Sequence, residues 1–166
     1  MSALAVDRIR KDQKKQLIAL MLFTFALRVV FLHWNEGEYT DGILQITLFT
    51  TASKNTFFMP LYTILTTGLH FLIHDLETSA KLVSMIAGVL GMIPLYCLTR
   101  RLADHKTAIY TSILYAISPE IWRWQIRVMT DVLFCSLFIW SVYHIYVLLE
   151  YRKPESGENE NHANNT

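Results

Sequence analysis

The chain has 166 residues, 52% of them hydrophobic and 17% charged, with a formal net charge of +1. Apolar residues are too many and too clustered for an ordinary water-soluble domain, and no nucleic-acid partner is expected; the composition is that of an integral membrane protein. The two cysteines, Cys97 and Cys135, both fall in apolar runs, where a thiol packs as a small hydrophobe, so neither a disulfide nor a metal framework is implied.

The chain opens with the basic stretch MSALAVDRIRKDQKKQ. The apolar run behind it continues too far for a signal-peptide core and lacks a small-residue cleavage site, so it reads as a retained anchor. Five apolar segments follow one another: Leu17 to Trp34, Phe57 to Ile73, Leu82 to Thr99, Ala108 to Trp122, and Val132 to Tyr151. The second carries Pro60, Gly68 and His70 and barely reaches across a hydrocarbon core of about 30 Å. The fourth is shorter still, with Trp122 and Trp124 at its end as interfacial aromatics.

Charge decides between five crossings and four. Cytoplasmic loops are enriched in Lys and Arg, and three basic clusters need placing: Arg8 to Lys15, Arg100 to Lys106, and Arg152 with Lys153. If Phe57 to Ile73 crosses, the second and third clusters are forced outside. If it lies in the interface or dips in and returns, four crossings put every basic cluster in the cytoplasm.

The expected fold is therefore all-α and membrane-integral, with about four transmembrane helices and a juxtamembrane or interfacial helical segment in the first outer loop. A cytoplasmic tail covers 1–16, spans fall at about 17–34, 80–99, 107–122 and 131–151, and the outer loop covers 35–79. A polar tail, 152–166, shares the cytoplasm with the N-terminus. The membrane is a cell inner membrane or the endoplasmic reticulum.

In this topology HWNEGEYTDG and WRWQIRVMTD share the outer side, bringing Glu36, Glu38 and Asp41 to the same surface as Arg123, Arg127 and Asp131. A carboxylate near a membrane surface can act as general base on an acceptor hydroxyl or amine, while guanidinium groups hold a phosphate and stabilise it as it leaves. Arg28, the one charge inside the first span, is either a partner for a lipid phosphate or a side chain snorkelling to the interface. Blander roles exist for the others too: Asp131 as a helix cap, Arg123 and Arg127 as headgroup anchors. Asp41 and Asp131 are expected to approach across an outward cavity roofed by Phe57 to Ile73. His33, His70 and His74 show no ligand spacing.

The order of these features resembles the N-terminal part of the GT-C glycosyltransferases, most of all the branch holding protein O-mannosyltransferases and lipid A aminoarabinose transferases. The pieces that carry the resemblance are LRVVF, the acidic NEGEYTDGI, MPLYTIL, and the long stretch from AKLVSMIAGVLG to WRWQIRVMTD. The resemblance implies a membrane glycosyltransferase module that takes a sugar from a polyprenyl-phosphate donor on the extracytoplasmic side. It places the catalytic carboxylates among Asp41, Glu38, Glu36 and Asp131, and donor-phosphate binding on Arg28, Arg127 and Arg123. In some relatives such acids bind a divalent cation, Mg or Mn; in the closest branch none is implied. Members of the family continue through further spans, so a second chain supplying them, or a truncated product, is expected here. The alternative is a noncatalytic membrane scaffold or subunit that assembles with a partner or binds lipid.

Overall fold

The computed structural model of the chain describes residues 11–33, 42–44 and 60–152. All regular structure among them is helical. Among the described residues the longer helices are α1 (Lys11–His33), α2 (Pro60–Ile73), α3 (Leu76–Leu102), α4 (His105–Ile117), α5 (Pro119–Gln125) and α6 (Thr130–Arg152). Three of them, at Lys11–Leu32, Leu76–Leu102 and Thr130–Arg152, are long and apolar enough to cross a membrane. Their surfaces fit lipid: Leu22, Phe138 and Leu149 are each more than half exposed.

α3 is the central helix. In its apolar window 61% of residues are buried, against 17% in α1 and 22% in α6. It opens on Asp75, whose carboxylate accepts a 2.8 Å bond from the Thr78 amide, and a Glu77–Lys81 pair one turn apart supports the first turns. Its buried positions are rich in small residues, Ser79, Ala80, Ser84, Ala87, Gly88 and Gly91. In lipid there is no hydrophobic drive between helices, and small side chains bind them by letting backbones approach.

Contacts along α3 fix the direction of its neighbours. Thr24 meets Met92 and Leu17 packs with Tyr96 and Cys97, so α1 is antiparallel to α3. Tyr115 reaches Gly88 while His105 reaches Tyr96, so α4 is antiparallel as well. Met129 meets Ser84, Ser136 faces Gly91, and Tyr143 packs with Cys97, so α6 runs parallel to α3. Two parallel spans in sequence need a return between them, and α4 with α5 makes it.

That return departs from the single span expected over 107–122. α4 ends at Ile117, after 13 residues or about 20 Å of rise. Ser118 then takes extended backbone (φ −60°, ψ 117°), the conformation a following proline favours, and Pro119 starts α5.

α2 has 14 residues, about 21 Å, and falls short of a bilayer core. Its polarity is inverted relative to a helix in water. Tyr62 and Thr66 are fully buried toward the bundle, whereas Ile64, Phe71 and Leu72 are 66, 75 and 79% exposed. Such a face belongs in hydrocarbon. The Tyr62 hydroxyl anchors α2 to α3, lying 2.8 Å from the Ala80 carbonyl and 3.0 Å from Ser84 Oγ.

Candidate functional site

The break at Ser118–Pro119 creates the site's central problem. The last carbonyls of α4 have no amide donors ahead of them in the helix, and in a membrane an unsatisfied carbonyl is costly. Arg28 on α1 solves it. Its Nη1 donates to the Ala116 carbonyl at 2.6 Å and, more weakly, to Thr24 O at 3.5 Å; Nη2 donates to Tyr115 O at 3.4 Å. A cation at a helix C-terminus also meets the negative end of the helix dipole. Nε donates to Gln125 Oε1 at 2.8 Å, and Arg28 is wholly buried.

The network continues through Gln125. Its Nε2 donates to the Tyr115 hydroxyl at 2.7 Å, and that hydroxyl donates to the Gly88 carbonyl at 2.7 Å. The chain of bonds links buried polar groups on four helices, so they are satisfied together. Gly88 leaves room for this amide: a Cβ there would overlap Gln125 Cδ and push the side chain aside. The fit ties α1, α3, α4 and α5 at one level.

Beside the network opens a cavity of about 450 Å³, a size typical of small-molecule sites. Tyr115, Ile121, Trp124 and Gln125 form one wall; Asp131, Val132, Cys135, Ser136 and Ile139 of α6 form the other. The lining is apolar except for the few polar groups that come from the network and α6. Asp131 is exposed in the first turn of α6 and has no hydrogen-bonded or ion-paired partner among the described residues. Among the described residues its carboxylate is the one acid lining this cavity.

The link from α5 to α6 is held from behind. Ser84 Oγ donates to the Met129 carbonyl at 3.2 Å, and Val128, Met129 and Val132 pack with Tyr62, Ala80 and Val83. Asp131 thus starts from a backbone fixed on α3.

The residues expected from sequence divide four ways. Asp131 lines the cavity. Arg123 and Arg127 flank it on the same segment without lining it: Arg123 is exposed on α5, stacked 5.7 Å from the Trp124 ring and 3.8 Å from Glu120, and Arg127 is half-buried in the link. Arg28 lies behind the cavity, where it neither snorkels nor faces an open phosphate position; its guanidinium is engaged by helix carbonyls and Gln125, because the break in α4 needs donors at that depth. Glu36, Glu38 and Asp41 lie outside the described residues. The expected approach of Asp41 to Asp131 falls outside the described residues with Asp41; no described residue of α2 lines the cavity beside Asp131, and the Tyr62 hydroxyl of α2 is bonded to α3.

Sequence inspection missed Tyr115, Gln125 and Gly88. The available signal was the pairing of an intramembrane arginine with a Ser-Pro break in another span: carbonyls freed by the one need donors from the other. Among the described residues no three His, Cys, Asp or Glu come together, so they supply no metal centre by themselves.

A family model described as dolichyl-phosphate-mannose-protein mannosyltransferase matches residues 55–156. The chain belongs to this family. The matched region runs from just ahead of α2 to just past α6, so it holds Tyr115, Gln125, Gly88, both cavity walls and Asp131, while α1 with Arg28 precedes it. Membership makes the chain a membrane glycosyltransferase of the mannosyltransferase type. No curated protein and no solved structure matches it.

Proposed function

We propose that this mannosyltransferase-family chain transfers a sugar from a polyprenyl-phosphate donor, on the extracytoplasmic face, with chemistry at the cavity between α5 and α6. The observation that carries the proposal is Asp131: a carboxylate at the rim of an apolar cavity, in a segment covered by the family match. An apolar wall suits the lipid part of the donor. A carboxylate at its rim suits proton abstraction from an acceptor hydroxyl or amine. Arg127, four residues ahead of Asp131, and Arg123 on α5 supply guanidinium groups for the departing phosphate. Asp41, Glu38 and Glu36 remain proposed as partners of Asp131 in the acid–base work, on the family resemblance alone. The same resemblance favours the branch of protein O-mannosyltransferases and aminoarabinose transferases, and the three basic clusters favour both termini in the cytoplasm.

The test is sugar transfer in membranes holding the chain together with whatever partner copurifies. Asp131→Asn keeps the shape and removes the basicity, so turnover should fall about 100 to 10,000-fold while donor binding persists. Arg127→Lys keeps the charge without the planar fork, so donor binding and turnover should weaken together. Full transfer by Asp131→Asn, Asp41→Asn and Glu38→Gln alike would instead favour the noncatalytic scaffold.

A further inference from the structure

At the end of the bundle away from Asp131, the buried cluster of Leu17, Tyr96, Cys97, Ala108 and Tyr143 closes the apolar interior. One helical turn beyond this layer the residues become cationic. Lys14 stands three residues before Leu17, and Arg100 and Arg101 stand four residues after Tyr96 and Cys97; all three are half-buried. Lys11, Lys15, Lys106 and the terminal Arg152 are exposed around them. The described part of this end therefore gathers seven Lys and Arg from four helices against three carboxylates, Asp12, Asp104 and Glu150. Two of those acids are already committed. Asp104 caps α4 through the Thr107 amide, and Glu150 pairs with Arg101. The described part of the opposite end has no such excess: Lys81, Arg123 and Arg127 stand against Asp75, Glu77, Glu120 and Asp131.

What borders the cations identifies their ligand. Leu102, Leu149 and Tyr151 are 64, 62 and 90% exposed on the same rim. An anion that neutralises the basic layer while its own body covers these side chains must be amphiphilic. A free phosphate answers only half of the surface. We propose that this end is a binding surface for anionic phospholipid: the headgroup phosphate sits against the cations of α1, α3 and α4, and the acyl chains lie on the neighbouring apolar rim. Basic residues at a membrane surface attract anionic lipid by about 1 kcal/mol each, roughly fivefold in affinity.

The experiment measures the relative affinity of the full chain for phosphatidylglycerol over phosphatidylcholine by lipid exchange in mixed nanodiscs. The wild type should prefer phosphatidylglycerol, and added salt should weaken the preference. Lys106→Gln, at an exposed position, should lower it about fivefold. Lys11→Gln, Lys15→Gln and Lys106→Gln combined, all at exposed positions, should lower it roughly a hundredfold while melting in pure phosphatidylcholine stays unchanged. Lys81→Gln at the other end should leave the preference intact. The proposal is overturned if the wild type shows no preference, if the triple variant keeps it, or if Lys81→Gln lowers it as much as Lys106→Gln. It is likewise overturned if inorganic phosphate at matched ionic strength displaces phosphatidylglycerol, which would make the surface a site for a soluble anion.

Discussion

Arg28 and Arg101 sit at opposite ends of the same helical bundle and answer different demands. Arg28 is fully buried, and its donors end on helix carbonyls and a glutamine amide oxygen. Arg101 keeps a fifth of its side chain exposed, pairs with Glu150, and lies 5.9 Å from the Tyr143 ring centroid. The first replaces amide donors that a broken helix lacks, in a place where water cannot. The second belongs to a wet rim where solvent can take over either partner. Burial rather than charge therefore sets how much each arginine matters to the fold.

Replacing each arginine by methionine breaks or sharpens that contrast. Arg28→Met strands the Ala116 carbonyl and Gln125 Oε1 in a membrane interior, at about 1 to 3 kcal/mol for each group left unsatisfied. Arg101→Met removes a partly exposed pair, worth roughly 0 to 1 kcal/mol. Unfolding in mixed micelles should then separate the two variants by several kcal/mol, and equal losses would refute the account of Arg28 as the donor for the broken helix.

A smaller effect is expected one step along the network. Gly88→Ala places a Cβ against Gln125, and because the clashing atoms belong to a side chain, the amide must swing away rather than the backbone move. The loss should be about 1 to 3 kcal/mol, as for overpacking elsewhere. In a double-mutant cycle Gln125→Ala should relieve much of it, giving a coupling energy of the order of 1 kcal/mol. Additive losses would mean that Gly88 serves only helix approach.

The smallest effect concerns the helix starts. Hydrogen bonds from Thr78 and Thr107 hold the carboxyls of Asp75 and Asp104 below their ordinary value of 3.8. A carboxyl with a depressed folded-state pKa stabilises the fold fully above the ordinary value and loses that contribution as pH falls through the folded one. The melting temperature should therefore decline below about pH 4. Asp75→Asn with Asp104→Asn should flatten this decline, leaving the arginine contrast untouched. An unchanged acid limb in the double variant would assign it to other carboxylates.

Much of the fold was legible because lipid imposes simple conditions on a sequence. Long apolar runs must be helices, since only helices satisfy their own backbone there, and the 14 residues of Pro60–Ile73 cannot reach across. Asp131 was named from the sequence as an acid of the second outer loop, and the structure places it on the lining of the cavity. The partners of Arg28 were not. Sequence shows a costly buried cation and cannot show that the carbonyls it serves lie 87 and 88 residues away on another helix. Nor could it show Gly88 making room for Gln125, 37 residues further on, or the cavity opening between α5 and α6 and away from α2. Hydropathy and charge are properties of single positions, and they determined the class of the protein and its helices. Hydrogen bonds between distant helices depend on the packing angle and depth of each, and only the tertiary structure decided them.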